Sequence, residues 1–307
     1  MSLIVVGSMA FDEIETPFGN SGKIVGGAGT YIAYAASQFV NSIEQVSILG
    51  YDFPQEEIKD LEARGINMDG VEIVPDKKSF FWKGKYHLDM NSRDTLITEL
   101  NVLEDFAPKI PESFQNAEFL MLGNLSPSVQ KSVINQLKAR PKLIVLDTMN
   151  FWMDIALEEL LETLKLVDVL VINDSEARQL SGELSIIKAA KKILAMGPKY
   201  LIIKKGEHGA LLFNDKEVFF APALPLEEVF DPTGAGDSFA GGFIGYLAKT
   251  KNISFENMKS AIIMGSVTAS FCVEKFGVQR LKEITKKDIQ ERTQEFVQLV
   301  NFEIELV

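Results

Sequence analysis

Val229-Phe230-Asp231-Pro232-Thr233-Gly234-Ala235-Gly236-Asp237-Ser238-Phe239-Ala240-Gly241-Gly242-Phe243 sets a Gly-Ala-Gly turn before an acidic residue and an apolar, helix-compatible segment. Glycines let successive backbone N–H groups point into one concavity, and a helix start adds the positive end of its dipole. Such a concavity suits an anion, yet the carboxylate of Asp237 stands in it. The conflict resolves if Asp237 takes a proton from an attacking hydroxyl while the neighbouring N–H groups hold a phosphoryl group. Gly234, Ala235 and Gly236 are then the anion-binding donors. The chemistry this predicts is phosphoryl transfer to a small alcohol. The alternative reading makes Asp237 an ordinary carboxylate at a helix N-terminus.

Asp231 to Phe239 resembles the C-terminal signature of the ribokinase-like (PfkB) carbohydrate kinases. Gly26-Gly27-Ala28-Gly29-Thr30-Tyr31-Ile32-Ala33 resembles the N-terminal Gly-Gly signature of the same family, about 200 residues earlier and in the expected order. Tyr31 stands where the family usually has Asn, a departure that bears on substrate identity more than on fold. The resemblance implies a single domain over residues 1–307, a three-layer α/β/α unit with a mostly parallel central sheet and a small β-sheet lid. It also implies an ATP-dependent, magnesium-assisted kinase acting on a hydroxyl of a sugar or sugar-like substrate. A nucleoside kinase on the same scaffold is the alternative, and a silent binding protein is a third reading.

Composition bounds the rest. A chain of 307 residues with 46% hydrophobic content can bury a substantial core. Net charge is −12 with no acidic tail, which disfavours a duplex nucleic-acid partner, because neutralising phosphates needs a basic surface. No run of about 18 apolar residues occurs, so no membrane span is expected. Met1 to Gly7 reads as a first strand, not a signal peptide, and a cytoplasmic location is expected. One cysteine, Cys272, excludes an intrachain disulfide, and with only His87 and His208 beside it no Cys/His metal cluster forms.

Strand and helix signals alternate along the chain. Leu3–Val6, Gln45–Leu49, Phe119–Leu122, Leu143–Leu146, Val169–Ile172 and Tyr200–Ile203 read as short strands, apolar on both faces. Between and after them, helices are expected over Thr30–Val40, Pro54–Arg64, Ser128–Ala139, Ile155–Lys165, Ile186–Met196, Asp237–Ala248, Phe255–Val273 and Lys287–Val300. That alternation predicts a parallel sheet covered on both faces. Residues 71–101, with Phe80, Phe81, Trp82, Tyr86 and little helix character, predict short strands that join residues 12–23 as the lid. A homodimer through an uncovered lid sheet is a further expectation.

Other site candidates lie at strand ends, where ligands gather in α/β sheets. Asp12 follows the first strand; by resemblance it binds substrate hydroxyls while Gly26 and Gly27 pack backbone against the substrate. Asn124, after Phe119–Leu122, is a further pocket candidate. Asn173 and Glu176 resemble the family's Asn-x-x-Glu motif, which organises magnesium-bound water and nucleotide phosphates; they also fit a helix capping box, and both readings can hold together. Lys204-Lys205-Gly206 resembles the strand-end segment beside the nucleotide, with Lys205 approaching phosphate and Gly206 allowing close passage; a solvated turn is the alternative. Ala269 and Gly277 lie in segments resembling the adenine pocket. Asp231 and Thr233 are implied ligands of a monovalent cation, potassium, unless Asp231 only shapes a turn with Pro232. Arg93 either reaches from the lid toward phosphate or, the reading preferred, is a surface residue paired with Asp94. Asp147-Thr148-Met149-Asn150 resembles the Asp-x-Asn at this strand end in sugar kinases of the family, with one residue more between Asp147 and Asn150; Phe151 and Trp152 either stack on a ligand or, the reading preferred, start the next helix against the core. Neither a Gly-x-x-x-x-Gly-Lys-Ser/Thr loop nor a Gly-x-Gly-x-x-Gly after strand one is present.

Overall fold

Leu3–Val6 divides its side chains between two apolar cores: Leu3 and Val5 enter one, Ile4 and Val6 the other, and all four are buried. That two-sided burial requires helices on both faces of the sheet. The computed structural model describes residues 2–301 and 303. Its strands are β1 (Leu3–Val6), β2 (Ala10–Thr16), β3 (Gly19–Gly26), β4 (Ile43–Gly50), β5 (Ile66–Val74), β6 (Phe81–Tyr86) and β7 (Arg93–Glu99). They continue with β8 (Phe119–Leu122), β9 (Leu143–Asp147), β10 (Val169–Asn173), β11 (Tyr200–Lys204), β12 (Ala210–Phe213) and β13 (Val218–Ala221). The helices are α1 (Ala28–Ser37), α2 (Gln55–Ala63), α3 (Pro127–Gln136), α4 (Asn150–Ile155), α5 (Leu157–Leu164) and α6 (Asp174–Ser181). After these come α7 (Ile186–Leu194), α8 (Ala235–Thr250), α9 (Phe255–Cys272), α10 (Gln279–Glu283) and α11 (Lys286–Val300).

Among the described residues the main sheet has nine strands in the order β13-β12-β11-β10-β9-β8-β1-β4-β5. From β11 to β5 every pairing is parallel, and β12 and β13 add an antiparallel hairpin at one edge. Neither strand of that hairpin is expected from the sequence. Helices α1, α8 and α9 pack on one face, and α3, α5 and α7 cover the other. No helix among the described residues is long and apolar enough to cross a membrane.

A second sheet has four strands in the order β3-β2-β6-β7. Its limits differ from the expected lid: residues 10–26 and 81–99 build it, not 12–23 and 71–101. Val71–Val74 pairs in parallel with Ser47–Gly50, so its backbone belongs to the main sheet. The four-stranded sheet is mixed, with a parallel β2–β6 pair flanked by antiparallel neighbours.

Helix α1 starts at Ala28, two residues before the expected Thr30, with Gly27 as its N-cap. Helices α1 and α8 approach so closely that a Cβ on Gly241 would lie 2.4 Å from the Ile32 carbonyl oxygen. This contact fixes the spatial relation between the loop before α1 and the loop before α8.

Candidate active site

Three parallel strands end beside one another: Asp147 closes β9, Asn173 closes β10 and Lys204 closes β11. Register sets Asn173 opposite Lys204 and Val171 opposite Asp147. The Lys204 ammonium donates to Asp147 Oδ2 at 2.9 Å. Facing them is the first turn of α8, which carries Asp237. Gly234 caps that helix at φ 74°, a left-handed conformation suited to glycine, and its α-carbon lies against the Tyr31 ring.

Ala235 N–H donates to the Pro232 carbonyl at 3.2 Å, whereas Gly236 and Asp237 N–H have no acceptor among the described residues. The Gly234 N–H is likewise without an acceptor, so of the expected Gly234–Gly236 set only Ala235 is engaged, and Asp237 adds a further open donor. Burial pushes the Asp237 carboxyl up from 3.8 to about 7; the Asp147 charge adds to this, while Lys204 and Arg93 oppose it. At neutral pH the group stands near its own titration point, which suits proton transfer.

Asp12 occupies β2 and is 5% exposed. Its Oδ2 accepts the Gly27 N–H at 3.4 Å, and a Cβ on Gly26 would collide with the carboxylate. Burial raises the Asp12 pKa to about 7 against the pull of that N–H, and the charges of Asp231 and Asp237 raise it further. The Asp12 and Asp237 carboxylates thus feel each other across the site. Tyr31 is buried between these halves, and its hydroxyl has no hydrogen-bond partner among the described residues. Its ionisation is driven far up, by burial first and then by the Asp12, Asp231 and Asp237 charges.

Asn173 and Glu176 form a full capping box on α6. Glu176 N–H donates to Asn173 Oδ1 at 2.8 Å, and Asn173 N–H donates to Glu176 Oε2 at 2.7 Å. Glu176 is nonetheless near the strand-end cluster: burial pushes it up to about 7, Lys204 lowers it and Asp147 raises it. Lys205 follows the strand end in a turn. Its backbone N–H donates to the Gly209 carbonyl at 2.8 Å, and the neighbouring Lys204 side chain lies against Gly236 of α8. Gly206 lies under the tip of the β6–β7 hairpin, where Asn91 Oδ1 occupies the space a Cβ would need.

Asp231 is fully buried and accepts N–H bonds from Thr233 at 2.8 Å and Gly277 at 3.0 Å, and burial raises its pKa. Gly277 therefore serves Asp231 with its N–H. The Thr233 hydroxyl donates to Tyr86 Oη at 3.2 Å, tying the small sheet to the loop before α8. Ala269 lies partly buried on α9. Asn124 is engaged elsewhere: its Oδ1 accepts Trp152 Nε1–H at 2.9 Å, and its amide donates to Met149 Sδ at 3.0 Å. Phe151 is 49% exposed rather than core, and packs edge-on against Trp152.

Asp94 pairs with His87 at 2.9 Å, not with Arg93. The Arg93 guanidinium lies 5.7 Å over the Trp82 ring, and its charge lowers the pKa of Asp12, Glu176 and Asp237. Lys204, Asp147 and Arg93 are thus site groups that stood in or beside the quoted motifs without being assigned a role in the site, the lysine role having been given to Lys205. Their signal was positional: Asp147 and Lys204 are the last residues of adjacent parallel strands.

The chain matches the pfkB family of carbohydrate kinases over residues 3–285. It belongs to that family. A cytidine kinase of Thermococcus kodakarensis is 28% identical over 291 residues, spanning 94% of this chain and 97% of its own length. Among solved structures, the nucleoside kinase of Methanocaldococcus jannaschii, a ribokinase-family protein, superposes with a TM-score of 0.76 at 22% identity. That match covers 96% of this chain and 98% of the other. An Escherichia coli chain in complex with ATP and Mg2+ superposes with a TM-score of 0.78 at 19% identity, covering 95% and 99%. The fold is accordingly ribokinase-like, and as a carbohydrate kinase the chain transfers phosphate to a hydroxyl group.

Kinases of this family use ATP with Mg2+. The strand-end groups suit such a metal in one particular way. Among the described residues no three His, Cys, Asp or Glu side chains are placed to hold an ion directly. Magnesium keeps several waters and binds readily through substrate phosphates, so Glu176 and Asn173 would meet it through water.

Proposed function

We propose that this pfkB-family kinase transfers the γ-phosphoryl group of ATP to a primary hydroxyl of a ribose-type sugar or of a nucleoside. The observation that carries the reading is the Asp237 carboxyl, raised to about 7, beside two unused N–H groups at the start of α8. Asp12 positions the acceptor through its hydroxyls, with Gly26 and Gly27 giving close backbone approach. Asp237 takes the acceptor proton as the new P–O bond forms. The Gly236 and Asp237 N–H groups stabilise charge on the phosphoryl oxygens, a contribution worth about 3–4 kcal/mol per donor in comparable sites. Magnesium, when bound, neutralises phosphate charge and is organised through water by Asn173 and Glu176. The loop of Asp231 and Thr233 suits a monovalent cation such as potassium, because the buried Asp231 carboxylate has no cationic partner among the described residues.

The small sheet acts as a lid in this reading, since Tyr86 and Arg93 carry it to both halves of the site. Two observations favour a nucleoside as the acceptor: the exposed Phe151 edge beside Trp152, which offers a stacking surface, and the cytidine kinase named above. A coupled assay of ADP release over pentoses, hexoses and nucleosides tests the reading. Turnover with at least one acceptor is expected; silence across the panel, with ATP binding intact, would sink it.

A second copy of the chain is the partner we assign to the small sheet. Strand β7 is its outer strand, and every β7 residue is exposed, Leu96 and Ile97 included. Such an edge invites pairing. Sedimentation is expected to give the mass of a dimer, and Ile97→Lys to shift it toward monomer. A parent sedimenting as monomer at micromolar concentration removes the assignment.

A further inference from the structure

The geometry points to Lys204 as a catalytic residue of the phosphoryl cradle, held in place by Asp147 as a positioning residue. This rests on the kinase reading above and adds to it a cation that the protein itself supplies. A Cβ built on Gly236 would lie 2.9 Å from Lys204 Nζ, so the ammonium stands directly against the backbone whose N–H groups are open. The same nitrogen donates to Asp147 Oδ2 at 2.9 Å, and the Lys204 side chain is only 18% exposed. An ammonium has three donors, and the bond to Asp147 uses one. The others are available to an anion resting on the start of α8.

Charge sharpens the case. Asp147, Glu176 and Asp237 all act on Lys204, and burial opposes its charge less than they favour it, so its pKa is raised. Three acidic side chains around a site that receives a polyphosphate would repel it. Lys204 on β11 and Arg93 on β7 are the cations that face them. Lys204 has a fixed place on the main sheet, whereas Arg93 rides on the small one. During transfer the bond from phosphorus to the leaving ADP oxygen breaks and that to the acceptor oxygen forms. The acceptor proton passes to Asp237. Lys204 keeps its proton throughout, donating hydrogen bonds to a phosphoryl oxygen, and its charge also favours the ionised form of Asp237.

Lys204→Met retains length and apolar stem while removing the charge. It is expected to lower kcat about 100- to 1,000-fold, the range seen when one preorganised donor is removed from such a cradle. The KM for the acceptor is expected to stay within about threefold, since Asp12 and the Gly26-Gly27 backbone are untouched. Lys204→Arg is expected to recover part of the rate, and Asp147→Asn to lose a smaller factor with the same split. The second readout needs neither nucleotide nor metal. With 13C-carboxyl-labelled aspartate in the ligand-free protein, the Asp237 resonance, assigned through Asp237→Asn, titrates at higher pH in Lys204→Met than in the parent. Asp12, Asp147, Glu176, Arg93 and Lys204 are the charged groups facing Asp237 from β2, β9, α6, β7 and β11. Unchanged kcat in Lys204→Met overturns the proposal. So does lost activity with an unmoved Asp237 titration, because a purely structural lysine gives that pattern. If the parent phosphorylates nothing, the kinase reading fails, while the titration still reports on Lys204.

Discussion

Asp237→Asn is expected to lower kcat by about 1,000-fold or more while making the ligand-free protein more stable at pH 8. The first effect follows from removing the general base, a role worth about 100- to 10,000-fold. The second follows from burial. The Asp237 pKa is 3.8 in its ordinary setting and about 7 in the folded protein, so folding favours the protonated form. Between those values the folded chain holds a proton that the unfolded chain has released, and stability falls as pH rises through that window. Asparagine has nothing to ionise and escapes the loss. Thermal melts should therefore place the variant above the parent at pH 8 and level with it near pH 4. The parent's own kcat/KM should fall as pH drops through about 7, where Asp237 takes up its proton. A variant that is slow and also less stable at pH 8 would indicate a broken helix start instead. Turnover within about tenfold of the parent would remove Asp237 as the base.

The fold could be read largely from strands that are apolar on both faces. Leu3–Val6, Phe119–Leu122, Val169–Ile172 and their neighbours bury alternate residues in two cores, a pattern that only a covered parallel sheet explains. The β12–β13 hairpin escaped because Val218–Ala221 is short and half exposed, so its periodicity is weak. The lid boundary moved for a related reason. Val71–Val74 lies in β5 at the edge of the main sheet, with Ile73 51% exposed, and its composition resembles that of the small-sheet strands. Within the site, residues carried by glycine-rich turns were legible, because Gly234 and Gly236 announce the geometry their backbone adopts. The choice between Lys204 and Lys205 was not. It depends on which of two adjacent lysines faces α8 at the end of β11, and one-residue register is invisible until the strand end is fixed. For Arg93 the sequence left two directions open, toward phosphate or toward Asp94, and the strand pairing that sets Arg93 opposite Tyr86, with Asp94 taken by His87, excludes the second.

Gly241→Val is expected to destabilise the protein by about 3 kcal/mol and to cut kcat/KM about 100-fold, although Gly241 lies a turn beyond the chemistry. Helix α1 begins at the Gly26-Gly27 loop and α8 at the Gly234–Asp237 turn, so in the proposed mechanism their packing sets the distance between acceptor and phosphoryl group. At Gly241 the closest neighbour of an added Cβ is the Ile32 carbonyl oxygen at 2.4 Å, with the Ala35 methyl at 2.8 Å. Backbone cannot step aside as a side-chain tip can. Helix propensity acts in the other direction: glycine to alanine inside a helix gains about 1 kcal/mol. At 2.4 Å the steric clash outweighs that gain, so even Gly241→Ala should lose stability, with Gly241→Val losing more. The helices must separate to admit either residue, and a shift of about 1 Å between reacting groups is enough for a 100-fold loss. Melting temperatures of the two variants, taken with acceptor kcat/KM, separate the effects. A stabilised Gly241→Ala would mean that propensity wins and that the α1–α8 contact yields freely. The positions of the cradle and the Gly-Gly loop would then need another constraint, and the Thr233–Tyr86 link from the small sheet would be the next to test.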